Sequence, residues 1–440
     1  MQGFISYILS LGGMVFVPIV LILVALLFRL SFLKSIKAGV TAGVGFLGMN
    51  LVVGVVVQYL NPAVDIMVKR FGLNLSVIDV GSGTASGVGY ATAVGALVIP
   101  VIFILNIVLL LLRLTKTMNI DIYNYWHYSI TGSIVYLMTG SLIFGIVGAM
   151  FHAAFCLISA DFTAKRVQNI IGIDGISICQ GYGASTVPLF YLLECLYNKI
   201  PFMKNKKIDS QFIQKKFGMI GDPVIIGIVL GILFSLLAGY GLRDALNLII
   251  AVVGIMILFP RMIKIIVEGL MPISEAARKF FNTHFHGKEF YIGMDSAVTL
   301  GHPTTISVGI ILIPIMILIA AVLPGNTVLP LADLPFAPFF ICMATVIHKG
   351  DMLRTLISSI INMVIVLLIA SYFAPYFTQM AIDGKLGLTQ GDAKISALAV
   401  GNVFDWVITQ FMRFGIIGII CLLAVTAGAV YYNRKKALTD

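Results

Sequence analysis

The 440-residue chain is 59% hydrophobic and only 11% charged, with a formal net charge of +10 and a mean hydropathy of +1.04. Soluble domains carry about 25% charged residues, so the composition excludes that class and places the chain among membrane proteins. The excess of lysine and arginine punctuates apolar runs and builds no basic face, which excludes a nucleic-acid partner and reports membrane orientation instead.

The opening "MQGFISYIL" has no basic region and no small-residue cleavage site behind it, so no signal peptide is expected. Runs such as "MVFVPIVLILVALLF" (14–28) and "VGALVIPVIFILNIVLLLL" (94–112) approach or reach the roughly 20 apolar residues that cross a bilayer as helix. They are continuous, and barrel strands would alternate. The chain therefore reads as an all-α polytopic membrane protein of about eleven transmembrane helices. The predicted spans lie near 12–30, 38–57, 92–113, 127–140, 141–158, 220–240, 245–260, 303–323, 336–348, 350–373 and 410–432. An outside N-terminus and a cytoplasmic C-terminus place most of the 29 Lys/Arg on the cytoplasmic side, including Arg29, Lys34, Lys37, the 199–216 loop and the "NRKK" tail. The positive-inside rule selects that orientation. If "GASTVPLFYLLECLY" (183–197) were a full span, the basic "NKIPFMKNKK" would lie outside, so this segment reads as re-entrant or interfacial.

Two pairs of windows match at nearly constant spacing. "VVVQYLNPAVDIMVKRF" (55–71) aligns with "IIVEGLMPISEAARKFF" (265–281), with Pro62/Pro272, Lys69/Lys279 and Phe71/Phe281 identical; "AVGALVIPVIFILN" (93–106) aligns with "SVGIILIPIMILIA" (307–320). Five spans fall in each copy, an odd number, so the copies are expected to be inverted, with substrate held where they meet. The expected division is a first repeat over 12–160 (scaffold 12–57, core 79–160) and a cytoplasmic linker over 161–219. A second repeat follows over 220–373 (scaffold 220–260, core 289–373), then an external loop, last span and tail over 374–440.

Ahead of the matched helices lie "DVGSGTASGVGYATAVG" (79–95) and "GMDSAVTLGHPTTISVG" (293–309). Each carries an aspartate, hydroxyls and glycines that allow broken helices and close backbone approach. They read as ligand-binding tips meeting from opposite sides. A carboxylate inside a membrane protein usually has a function or a partner, so Asp295 is either a substrate or proton residue, or a cap or buried salt bridge; Asp79 has the same choice. His302 either bonds substrate or ties down backbone. His127 and Thr131 share a helix face at i,i+4, although the flanking aromatics also suit an interfacial belt. Gln180 offers a donor and an acceptor to a ligand or to a loop. His152 reads as a helix-packing residue without an ionisable neighbour, and His284, His286 and His348 as solvent-facing. Arg413 either pairs with Asp405 or snorkels.

The five cysteines form no CxxC pair, and no Walker, HExxH or Ser–His–carboxylate set occurs. No metal or cofactor is expected, and the energy for transport must come from an ion or a partner.

Long ordered segments carry a resemblance: "SIKAG" (35–39), "NLSVIDVG" (74–81), "NIDIYNYWHYSITG" (119–132), "MFHAAF" (150–155), "QKKFGMIGDPV" (214–224), "EFYIGMDSAVTLGH" (289–302), "VLPGNTVLP" (322–330) and "IHKGDMLRTLIS" (347–358). Over nearly its full length the chain resembles the galactitol-type membrane IIC component of the bacterial phosphotransferase system, within the ascorbate–galactitol superfamily. The resemblance implies an inner-membrane homodimer with eleven spans per subunit, each with a scaffold and a substrate-carrying core. It also implies an alditol substrate and cytoplasmic IIB and IIA partners, with HPr and Enzyme I upstream. The phosphoryl donor is then the phosphocysteine of IIB, since no cysteine here lies in such a loop. Carried over residue by residue, the substrate-binding set is His127, Thr131, Gln180, Asp295 and the 84–90 loop with Thr84, Ser86 and Tyr90; on their own chemistry His302 joins this set, and the catalytic base is Asp295 or His127. "ISICQGYGAS" departs from the histidine-containing form of galactitol proteins, which leaves a pentitol or L-ascorbate as alternative substrates and an ion-coupled polyol transporter as the alternative mechanism.

Overall fold

In lipid every backbone polar group needs an internal partner, and this chain meets that demand mainly with helices. The computed structural model describes residues 13–55, 58–59, 61–70, 77–204, 223–284, 290–330, 333–384, 386 and 394–436. Helix α1 (Gly13–Leu27) turns at Arg29, held at φ 60°, into α2 (Phe32–Val55). A short α3 (Asn61–Arg70) packs against α10 (Pro223–Ala238), and the Arg70 guanidinium donates to the Leu236 and Leu237 carbonyls at that helix's C-terminal end. From α10 the chain enters α11 (Leu242–His284), one helix of 43 residues.

α2 lies along α11, and small residues let the two backbones touch: a Cβ at Gly269 would stand 2.4 Å from the Ala42 nitrogen. This packing carries α11 straight through Pro260 and Pro272, where the sequence suggested a span ending at 260. At the α-helical rise α11 is roughly 64 Å long, about twice the hydrocarbon thickness of a bilayer.

The rest of the chain repeats one order of elements, except that a 10-residue helix in the first series stands where the second has a 3-10 turn. The first series is β1 (Val77–Asp79), α4 (Gly81–Tyr90), α5 (Gly95–Leu111), β2 (Thr117–Asn119), a 3-10 turn (Ile122–Tyr125), α6 (Trp126–Thr139), α7 (Leu142–Ile171), β3 (Ile176–Ile178), a second 3-10 turn (Ala184–Thr186) and α8 (Val187–Tyr197). A short α9 (Pro201–Lys204) ends that stretch. The second series is β4 (Tyr291–Met294), a 3-10 turn (Ser296–Thr299), α12 (Pro303–Val322), β5 (Val328–Leu329), a 3-10 turn (Leu334–Phe336), α13 (Ala337–Ile347), α14 (Met352–Asp383), β6 (Lys394–Ser396), a 3-10 turn (Leu398–Val400) and α15 (Val403–Met412). Helix α16 (Ile416–Lys436) closes the described chain.

The strands, absent from an all-α expectation, form two parallel three-stranded sheets ordered β5-β1-β6 and β2-β4-β3. Each sheet takes its middle strand from one series and both flanking strands from the other. Val77 stands opposite Val328 and Lys394, and Gly293 stands opposite Asn119 and Ser177. The repeated order thus continues past residues 160 and 373, through α8 and α15.

Among the described residues, α7, α12, α14 and α16 are long and apolar enough to cross a membrane, and several apolar helices are shorter. Segment 183–197 is a 3-10 turn followed by the 11 residues of α8, too few to span as helix. The last predicted span divides into α15 and α16 at a turn through Gly415, at φ 59°. The outer side chains Leu33, Leu236, Ile250, Ile416 and Ile417 are largely exposed, as lipid-facing residues would be.

Candidate functional site

The two sheets fix where chain ends leave the strands, and the polar residues follow from that. In β4, Gly293 is squeezed between both neighbouring strands: a Cβ there would lie 2.5 Å from Cys179 Sγ and 2.7 Å from Thr117 Cγ2. Only glycine fits, and the strand then delivers Asp295 at its end. Asp295 caps the following 3-10 turn, with Oδ1 accepting from the Ala297 amide at 2.9 Å. Its Oδ2 accepts from Asn124 Nδ2 at 2.8 Å.

Asn124 also donates to both oxygens of Asp121, at 2.9 and 3.1 Å. Its amide orientation is set by Trp126, whose Nε1–H lies 3.1 Å from Asn124 Oδ1. An indole can only donate, so the oxygen faces Trp126 and the NH2 faces the two carboxylates. The strand end carrying Asp121 is itself tied down: Asn119 Oδ1 accepts from the Asp121 amide, Asn106 Oδ1 from the Asn119 amide, and the Asn119 carbonyl from Tyr125 Oη.

Next on the chain, His127 stacks on Trp126 at 3.6 Å and is almost fully buried. Gln180 Oε1 accepts from the Gly183 amide, so its Nε2 is the atom that donates to His127 Nε2 at 2.9 Å. That leaves His127 neutral with its proton on Nδ1, and its Nε2 lone pair engaged. The Gln180 turn is pinned in turn by Gly181, whose carbonyl accepts from His152 Nε2 at 2.9 Å and Asn402 Nδ2 at 3.0 Å.

The structure therefore brings Asp295, His127 and Gln180 into one connected region, with α4 packed against α6. On α4, Thr84 is partly exposed, Ser86 is buried with its hydroxyl donating to the Gly83 carbonyl at 2.8 Å, and Tyr90 is buried. Thr131 lies deeper. It is fully buried, bonds Asp405 Oδ1, and stands 2.6 Å from His152 Nδ1. His302 caps α12 through Nδ1, 3.2 Å from the Thr304 amide, and lies against the turn at Gly350.

Two sequence expectations, for His152 and His348, are corrected, and one of the two alternatives for Arg413 is removed. His152 has an ionisable neighbour: its Nδ1 is 3.1 Å from Asp405 Oδ1, a pairing across 253 positions that no local pattern announces. Asp405 is thereby occupied, and Arg413 donates to Gln410 Oε1 in place of it. His348 does not face solvent. It is buried, with Nδ1 2.7 Å from Glu194 Oε2 and Nε2 2.8 Å from Ser358 Oγ, in a cluster completed by the Arg354–Glu194 pair at 2.9 Å. The side chain of His284, and His286 altogether, lie outside the described residues.

Sequence reasoning missed Asp121, Asn124 and Asp333. A signal existed, because Asp121 and Asp333 each stand immediately before a 3-10 turn at nearly the offset of the matched windows. Asp333 meets Asp79 in the other sheet. Asp79 accepts from the Gly81 and Asp333 amides, both at 3.0 Å, and Asp333 accepts from the Ser82 amide, the Ser82 hydroxyl and the Leu398 amide, each at 2.7 Å. Asp79 is thus a cap and a link between the two series.

Comparison with known proteins bears on what this region does. Residues 7–391 match the family model described as EIIC-GAT, PTS system sugar-specific permease component. A provisionally named permease IIC component of Escherichia coli (strain K12) is 62% identical over 435 residues, covering 99% of this chain and 100% of that protein. The PTS system galactitol-specific EIIC component of the same strain is 37% identical over 432 residues, covering 98% and 96%; its counterpart in Escherichia coli O157:H7 matches equally.

Proposed function

The chain belongs to the PTS sugar-specific permease components, and from that premise we propose that it binds and translocates an alditol, galactitol foremost, and presents it to the phosphocysteine of IIB. The IIC family implies a multi-pass membrane protein of sugar transport with a sugar substrate and IIB and IIA partners. HPr and Enzyme I supply phosphate upstream in this reading.

The observation that carries the proposal is the joined set Asp295, Asn124, His127 and Gln180, contributed by both series of elements. It offers a carboxylate, amides and an imidazole, which suits an uncharged ligand with many hydroxyls. In the transfer step a substrate hydroxyl oxygen attacks phosphorus and the P–S bond breaks, returning a cysteine thiolate to IIB. The hydroxyl proton passes to Asp295, within about 3 Å or through one water. His127 holds the substrate, since Gln180 already occupies its Nε2 lone pair.

The wider arrangement proposed is a homodimer with eleven spans per subunit and inverted units, an outside N-terminus and a cytoplasmic C-terminus. The repeated order of elements supports two units of about 77–197 and 291–412. Their reciprocal exchange of strands suits a pseudo-two-fold.

The test is reconstitution of the purified chain in vesicles with and without phosphorylated IIB, offered galactitol, arabitol, sorbitol and L-ascorbate. Accumulation of galactitol phosphate only with IIB is expected. Uphill uptake driven by a proton gradient without IIB would reject the mechanism, and preference for ascorbate would reject the substrate.

A further inference from the structure

The duplicated order yields two carboxylate pairs of like origin, Asp79 with Asp333 and Asp295 with Asp121, and they end in opposite conditions. In the first, the amides of Gly81, Asp333, Ser82 and Leu398 give each of the four carboxylate oxygens a backbone donor, and both residues are buried. In the second, both side chains remain partly exposed. Asp295 has one backbone donor, the Ser296 hydroxyl at 3.3 Å and a share of Asn124, and Asp121 has the other share of that amide. Among the described residues no lysine or arginine pairs with either carboxylate of the second pair. One pair is sealed into the fold by backbone donors; the other is only partly buried and leans on side-chain donors.

We propose that Asp121 and Asp295, held together by Asn124, form a charge filter that admits neutral polyhydroxylated ligands and rejects sugar acids. The inference rests on the reading of this region as the sugar site, and adds Asp121 as a specificity-determining residue and Asn124 as a positioning residue. Neutral hydroxyls donate to carboxylate oxygens. An anionic ligand group brings no such donor and is repelled: a unit charge about 5 Å from one carboxylate, at an effective dielectric of about 20, is disfavoured by roughly 100-fold or more. Asn124 makes the pair act together, because its two N–H bonds fix one carboxylate against the other.

The test is binding to the full-length chain in detergent, with alditols and aldoses measured against the aldonates and uronates of the same stereochemistry. The wild type should prefer the neutral member of each pair by about 100-fold. Asp121→Asn should reduce neutral binding by about 10-fold or less and reduce the preference by at least 10-fold. Asp121→Ser serves if the amide variant fails to assemble, and Asn124→Ala should lower the preference while leaving both carboxyl groups in place. Asp333→Asn, in the sealed pair, should lower thermal stability without changing the preference of the protein that folds. An unchanged preference in the Asp121 variants overturns the filter and leaves the alditol reading standing. Binding of a neutral aldose but no alditol removes the alditol reading, and the filter is then judged on the aldose and its acid. Preference of the wild type for the acids overturns the filter.

Discussion

Replacing Asp295 by asparagine separates its role as proton acceptor from its role as a structural cap. The side chain keeps its shape but must choose an orientation. If its oxygen stays on the Ala297 amide, its NH2 faces Asn124 Nδ2, and two donors oppose each other; if it flips, the clash moves to Ala297. Either way one hydrogen bond to a charged group is lost, which costs about 1.5–3 kcal/mol of stability. The proton acceptor is lost as well. General-base catalysis is worth about 10²–10⁴ in rate, or about 2.7–5.4 kcal/mol of barrier. The assay is single-turnover phosphorylation of galactitol with purified phosphorylated IIB, beside equilibrium binding of galactitol to the same preparation. Phosphorylation should fall by two to four orders of magnitude, and affinity much less. Loss of binding with a normal transfer rate for the substrate still bound would refute the reasoning and make Asp295 a binding residue only.

Removing Asp405 as alanine strands the His152 imidazole and the Thr131 hydroxyl in a fully buried site. A loss of about 3–5 kcal/mol is expected, read as earlier thermal unfolding in detergent; Asp405→Asn, which also removes the charge, should cost nearly as much, and a clearly smaller loss would count against a charged pair. Gly293→Ala drives a methyl into Cys179 and Thr117 and should cost about 1–3 kcal/mol in the same measurement. Adding Cys179→Ala should restore only part of it, because Thr117 stays in place. Reporter fusions after Lys37, after Lys207 and at the C-terminus should all report cytoplasm, and an external 199–216 loop would overturn the proposed inversion.

Helices α6, α12 and α13 were legible to within a residue or two, because glycine or proline bounds each apolar run. The long α11 was not. Prolines at 260 and 272 signal a break in an isolated helix, but packing along α2 supports the turns on either side. The strands were illegible for a different reason. Two to four residues give no periodicity to read, and their partners lie more than a hundred positions away. Of the candidate site, Asp295, His127 and Gln180 were found because each interrupts an apolar context. Asp121 and Asn124 stood in the same quoted motif as His127 and were passed over, since their importance lies in a contact with residue 295. Thr131 was placed correctly on the face of His127, but one turn of helix carries it below the site to Asp405.

The exchange of strands between the two series has a consequence for biogenesis. β1 emerges from the ribosome early, yet one of its neighbours, β6, follows it by roughly 300 residues. At about 5–20 residues per second, the first sheet waits on the order of 15–60 s for its second edge. During that interval Asp79 and the backbone around it lack the Asp333 and Ser396 contacts that later satisfy them. Insertion must therefore hold the early helices within a protected, hydrated site until the late ones arrive. A chain truncated before β6 should remain bound to the insertion machinery, or be degraded, in preference to entering lipid as a stable half.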